Sequence, residues 1–169
     1  MDMRDIKEFF KDFFIYIIIG VLIFFTVVYV VSLQQVRGPS MEPNYNTQDV
    51  LLLNKLHYHI FKPKRFDVVA VLDHNDGPVI KRIIGLPGEK IEYKDNNLYI
   101  NDQLVEELFK KSNTEDFVLD HEIGKGQYFI VGDNREKSDD SRTKGLITQD
   151  NLIGKVMFRI WKGWNNGIY

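Results

Sequence analysis

Phe13 to Val31 reads FFIYIIIGVLIFFTVVYVV, nineteen residues without a charge, and it divides the chain into an apolar head and a mixed remainder. Its only polar members are Tyr16, Thr26 and Tyr29. At ~1.5 Å per residue such a helix spans about 28 Å, against a bilayer hydrocarbon core of about 30 Å. Leu33 is available to extend it. The run is apolar on every side, whereas a helix of a soluble core shows polar positions at helical spacing. A cleavable export signal has a shorter apolar region closed by small residues. The one alanine of the chain is Ala70, so no such closure follows. The expectation is therefore one uncleaved transmembrane helix over 13–33. Its direction follows from Lys and Arg. Arg4, Lys7 and Lys11 precede the run, and Arg37 is the one basic residue in the fifteen after it. This places residues 1–12 in the cytoplasm and 34–169 outside, as a single-pass protein of the cell membrane in contact with the lipid bilayer.

The chain has 169 residues and a formal net charge of -2, and the portion beyond the span is near neutral. It carries no basic footprint for a phosphate backbone, so nucleic acid is not an expected partner. With no cysteine, disulfides, thiolate nucleophiles, Cys-based zinc sites and thiol redox chemistry are excluded.

After the span, short runs rich in Val, Ile, Leu, Phe and Tyr alternate with turn residues, the pattern of a mainly β domain. The expected strands are Val50–Asn54, Asp67–Leu72, Val79–Ile84, Lys90–Tyr93, Leu98–Ile100, Phe117–Leu119, Gln127–Val131 and Ile153–Trp161. Turn signals separate them at Asn75-Asp76-Gly77-Pro78, Leu86-Pro87-Gly88, Asp95-Asn96-Asn97, Asn101-Asp102 and Gly124-Lys125-Gly126. Lys90 to Val105 reads as a small meander, a β cap on the main sheet. Glu106 to Lys111 reads as a brief helix. Trp161, Trp164 and Tyr169 suit either a membrane interface or, for Trp161, a packed final strand.

Three segments carry possible chemistry. Ser40, in Val36-Arg37-Gly38-Pro39-Ser40-Met41-Glu42-Pro43, lies between two prolines that restrict the backbone. By itself it reads as an ordinary turn serine. In Val79-Ile80-Lys81-Arg82-Ile83-Ile84-Gly85-Leu86-Pro87-Gly88-Glu89, strand alternation puts Lys81 and Arg82 on opposite faces, so one base must sit among apolar neighbours. Desolvation lowers the pKa of a lysine from ~10.4, whereas arginine stays protonated. Lys81 is thus the candidate general base, against the alternative of a cationic rim residue. The third segment, Gly132-Asp133-Asn134-Arg135-Glu136-Lys137-Ser138-Asp139-Asp140-Ser141-Arg142, has the composition of a solvated loop. It also has hydroxyls that can bond an amine, and Asp and Arg spaced for an ion pair.

Together these segments resemble type I signal peptidases, membrane-anchored Ser-Lys endopeptidases of exported preproteins. The match runs through Ser40, Met41 and Pro43, then Arg65, Asp67, Val68 and Val69, then Lys81 to Gly88. It is most specific at Gly132-Asp133-Asn134-Arg135, Ser138 and Asp140-Ser141-Arg142. The resemblance implies a signal-peptidase-like β-sheet or barrel catalytic domain with a small β cap. It also implies Ser40 as nucleophile, Lys81 as general base, Ser138 as the group orienting the amine, and Asp140 with Arg142 as support. It implies cleavage after small residues of the A-x-A type, secreted preproteins as substrates bound as extended strands, proximity to the export translocon, and no metal or cofactor. Val36, Val69, Val71 and Val79 are candidate pocket linings. Four positions depart from the family pattern without removing a catalytic atom: Asn44-Tyr45 for Thr-Leu, Phe66 for glycine, and Glu89 for aspartate. Gly38 lacks the hydroxyl that helps the oxyanion hole in some members, and Pro39 has no N–H, which leaves the Ser40 N–H as the main donor. The small size, single anchor and glycine are similar to Gram-positive forms.

Rival readings are an anchored β module that binds exported proteins or secretion machinery without cutting them, and a self-cleaving Ser-Lys repressor-type protease, which the span disfavours. A metal site from His57 and His59, placed on one strand face, with His74 or His121 lacks positioned carboxylates. Thiol transpeptidation is excluded by composition.

Overall fold

The computed structural model describes residues 3–73 and 77–163. Helix α1 (Met3–Phe25) continues into a π-helical turn, Thr26–Val30, so the apolar helix starts well before Phe13. Its stretch Lys7–Val30 is long and apolar enough to cross a membrane, and none of its apolar window is buried in the domain. The polar Thr26 satisfies itself by donating to the Leu22 carbonyl at 2.8 Å. The end of the helix is capped from the domain. Lys55 donates its backbone N–H to the Val30 carbonyl at 2.8 Å and its Nζ to Val28 at 2.7 Å, bonding carbonyls that a helix end leaves unpaired. Leu33, expected to lengthen the span, lies instead in strand β1 (Val31–Gln35).

The main sheet also contains β2 (Val50–Asn54), β3 (Val68–Asp73), β4 (Gly77–Gly85), β9 (Gln127–Val131), β10 (Ile147–Thr148) and β11 (Leu152–Trp161). Its order is β1-β2-β11-β3-β4-β9-β10, antiparallel throughout, and no β1–β10 ladder closes it among the described residues. The cap is a second sheet of β5 (Ile91–Lys94), β6 (Asn97–Ile100), β7 (Gln103–Val105) and β8 (Phe117–Val118), in the order β7-β6-β5-β8. Its two tight turns place Asp95, Asn96, Asn101 and Asp102 at positive φ, the conformation that the short polar side chains of Asp and Asn tolerate. Period-2 alternation buries Leu51 and Leu53 of β2 with Val36, Met41, Ala70 and Val156. The cap core of Ile91, Tyr93, Leu98 and Ile100 merges with Ile84, Phe129 and Val131 of the main sheet.

Several expectations need correction. Glu106 to Lys111 forms no helix, because, apart from a Glu107–Lys111 ion pair at 3.5 Å, its side chains and backbone bond to distant segments. Glu107 pairs with Arg135, Lys111 donates to Asn96 Oδ1 at 2.7 Å, and the Lys110 carbonyl accepts from Asn44 at 2.7 Å. His57 and His59 lie on a one-turn helix, α2 (His57–Ile60), not on a strand, and His121 lies beside Asp120 in a loop. Trp161 is exposed at the end of β11, so it is not a core residue. The other C-terminal aromatics, together with His74 and the turn residues Asn75 and Asp76, lie outside the described residues.

The departure at Phe66 has a visible cost. Its φ is +69°, a left-handed conformation open to glycine and strained by about 1–3 kcal/mol for a bulky residue. Packing offsets this: the ring meets Phe109 edge-on at 5.5 Å and joins the cap core. Phe66→Ala keeps the strain and loses the packing, whereas Phe66→Gly loses the packing and relieves the strain. Both are expected to unfold earlier than the parent, with the glycine variant the more stable by about 1 kcal/mol in denaturant titration.

Candidate active site

Strand β4 has both faces covered at its centre, so Lys81 and Arg82 are both buried, 5% and 8% exposed. The expectation that one base of the pair would be buried is thereby exceeded, and partners differ on the two faces. Arg82 meets a full counter-charge. Its Nε and Nη2 donate to the Asp133 carboxylate at 2.7 and 2.6 Å, its Nη1 donates to the Phe66 carbonyl at 3.0 Å, and its guanidinium lies over Phe109. Lys81 meets no carboxylate directly among the described residues. Its Nζ donates to the Ser138 hydroxyl at 2.8 Å. Burial pushes the Lys81 amine below its ordinary pKa, more than the neighbouring Asp140 carboxylate restores it, and Lys144 adds to the lowering.

Ser138 links this amine to a buried ion pair, since its hydroxyl also bonds Asp140. Asp140 is 3% exposed and accepts from Arg142 Nε at 2.8 Å and Nη2 at 2.9 Å, and from the Gly132 N–H at 3.0 Å. Burial opposes its ionisation, but these donors outweigh burial and hold the carboxyl below its usual range. Asp140 also caps the one-turn helix α3 (Ser141–Lys144), and the next residue, Ser141, accepts from the Ile130 N–H of β9 at 3.0 Å. Arg142 reaches back to the Arg135 carbonyl at 2.7 Å. The loop that looks solvated in sequence is thus held by three arginines: Arg142 ties it to itself, while Arg82 and Arg135 tie it to other segments.

Ser40 approaches Gly132 on the same side as Ser138. Its carbonyl accepts from the Asn134 N–H at 3.0 Å, and a Cβ built on Gly132 would collide with that carbonyl and with the Ser138 side chain. Gly132 is therefore the narrow point at which the Ser40 turn, the Ser138 hydroxyl and the Lys81 amine come together. Behind Ser40 the fully buried Met41 anchors its turn in the core. Gly38 has φ +74°, and the Ser40 N–H has no backbone acceptor among the described residues. Of the candidate linings, Val71 and Val79 border a cleft of about 310 Å³ that ends at Lys81, whereas Val36 and Val69 are packed in the core.

Over residues 6–161 the chain matches the family described as Signal peptidase, peptidase S26. The chain belongs to the signal peptidase family. It is 37% identical over 147 residues to Signal peptidase I of Bacillus caldolyticus, covering 79% of this chain and 81% of that one. It is 31% identical over 159 residues to Signal peptidase IB of Staphylococcus aureus, covering 83% of each. The crystal structure of a signal peptidase I from Enterococcus faecalis is 39% identical and superposes with a TM-score of 0.51, covering 57% of this chain and 98% of that one. Membership makes the chain a serine peptidase, a hydrolase, as the resemblance implied.

Some structural residues of this peptidase site escaped the sequence reading. Asn44, noted there only as a departure, bridges three segments: its Nδ2 donates to Asp133 Oδ2 at 2.8 Å and to the Lys110 carbonyl of the cap. Glu107 pairs with the buried Arg135, whose Nε donates to the Gly132 carbonyl at 2.9 Å. Glu89 fills its position as a longer acid by forking onto Arg65 at 2.7 and 2.9 Å while accepting from the Leu86 N–H. The Gly-Asp-Asn-Arg run was the one available signal for the first two, because a buried loop with this many charges demands partners.

Proposed function

We propose that the chain is a membrane-anchored serine endopeptidase that cleaves N-terminal signal peptides from exported preproteins after small residues of the A-x-A type, through Ser40 and Lys81. The observation that carries this reading is the buried Lys81 amine, held by Ser138 Oγ at 2.8 Å and flanked by Gly132, against which the Ser40 carbonyl lies. Burial lowers the pKa of the Lys81 amine and so raises the fraction able to accept a proton, and the Ser138 bond orients the amine without adding a charge. Lys81 takes the Ser40 Oγ proton as Oγ bonds to the scissile carbonyl carbon. The resulting oxyanion meets the Ser40 N–H. Collapse breaks the C–N bond, the electron pair goes to nitrogen, and the Lys81 ammonium returns its proton there. Water, deprotonated by Lys81, then attacks the acyl carbon, the bond to Ser40 Oγ breaks, and the Lys81 ammonium returns its proton to Oγ.

Residues 1–12 then lie in the cytoplasm, 13–33 carry the anchor, whose helix ends at Val30, and 34–169 form the catalytic domain outside, near the export translocon. Anchoring holds the site close to the membrane surface, where the cleavage site of a preprotein leaves its own apolar segment. The test is processing of an A-x-A preprotein by the purified full-length chain in lipid vesicles, with the product N-terminus sequenced. Cleavage after the last small residue is expected. Intact preprotein with a folded enzyme across pH 7 to 10 overturns the reading in favour of a silent binding module. Protease protection in cells is expected to shield 1–12 and expose the domain.

A further inference from the structure

We infer that the cleft beside Lys81 receives an apolar side chain of the departing chain, from one of the first two residues after the cut; this rests on the Ser40–Lys81 reading above. The cleft has about 310 Å³ of volume. Val71 and Val79, cross-strand partners in β3 and β4, form its floor together with Ile130 of β9, and Leu146 and Ile147 border it from the segment after α3. Its outer lip is an ion bridge in which Lys144 Nζ lies 2.8 Å from Asp73 and 3.0 Å from Asp139. The floor is thus apolar, the charges at the lip are paired, and the polar groups that complete the lining are Lys81, Asp140, Ser141 and Asn151.

The placement of the cleft decides which half of the substrate it serves. Lys81 borders it, and no lining residue comes from the 36–45 segment that carries Ser40. During acylation the two halves of the substrate part in opposite directions. The acyl half stays bonded to Ser40, and the amine half takes its proton from Lys81, so the departing chain must pass the Lys81 amine. The first side chains beyond the broken bond then meet Val79 and Val71. An apolar side chain gains by leaving water there, whereas a charged one loses solvation next to a lip whose charges are already matched. The cleft therefore makes the enzyme sensitive to the start of the mature protein as well as to the small residues before the cut.

The test uses full-length enzyme in lipid vesicles and preproteins that differ only at the first and second positions after the cut, carrying Gly or Phe. Leu72 borders the cleft and is 45% exposed, so Leu72→Trp narrows the cleft without disturbing the core. Its kcat/KM for Phe-bearing substrates is expected to fall on the order of tenfold, and for Gly-bearing ones by less than about twofold. Val79→Ala, which widens the floor, is expected to shift the preference in the opposite direction, with thermal midpoints checked to show that both variants are folded. Equal losses for all substrates, no loss for any, or a discrimination that follows the second residue before the cut instead overturns the assignment. A wild type that cuts every substrate equally well also overturns it and leaves the Ser-Lys reading intact. Cleavage that persists in Ser40→Ala overturns that underlying reading instead.

Discussion

Lys81→Met is expected to lower kcat/KM for preprotein cleavage by more than about 10³-fold while leaving the fold intact, and Ser40→Ala is expected to do the same. The methionine keeps most of the volume of the lysine side chain and removes a buried amine whose direct partner in the structure is a neutral hydroxyl. Burial dominates the pKa of that amine, so its removal relieves a desolvation cost, and the variant is expected to be at least as stable as the parent. The sign of the pH dependence follows. Only neutral Lys81 can accept the Ser40 proton, so activity rises with pH as the amine deprotonates. It levels off above a pKa that lies below the ordinary lysine value of 10.5. For stability, the native state holds fewer protons than the unfolded chain between that lowered pKa and 10.5, so unfolding free energy rises with pH in this window and is flat below it. Lys81→Met removes both dependences. An acid limb at the free-lysine value, or a methionine variant that retains activity, refutes the assignment.

Gly132→Ala is expected to lower kcat by about 10²-fold or more and to cost about 1–3 kcal/mol of stability. The added methyl would lie 2.6 Å from Ser138 Cβ and collide with the Ser40 carbonyl. Neither neighbour can yield cheaply. The carbonyl is bonded to the Asn134 N–H, and the Ser138 hydroxyl is bonded to Lys81 and Asp140. Any accommodation therefore moves the nucleophile turn or the amine. Displacements of about 1 Å are enough for the rate loss, whereas the core beneath stays packed. Single-turnover kinetics and a denaturant titration on the same preparation separate the two effects. A variant with lost stability and unchanged kcat rejects Gly132 as the contact point of the site.

Strands β2 and β9 were legible to the residue in the sequence, because alternation and flanking turns define them locally. The two-residue β10 and the strand β1 were not. The first is too short to carry a period, and the second, Val31–Gln35, starts inside the apolar run with no turn residue to separate it from the helix. The absent helix at Glu106 to Lys111 failed for the opposite reason: the local propensity was adequate and Glu107 and Lys111 still pair with each other, but Arg135 and Asn96 also draw them to other segments.

The sequence by itself determined the apolar helix, the mainly β character of the rest, the cysteine-free chemistry and the order of the three motif segments. All of these depend on composition and on spacings of a few residues. Tertiary structure alone decided what each charge faces. Arg82 and Lys81 are neighbours in the chain, yet one meets Asp133, 51 residues away, and the other meets Ser138, 57 residues away. Which partner a buried charge obtains depends on how separate strands pack and on the desolvation that packing imposes, and neither quantity is a property of adjacent residues.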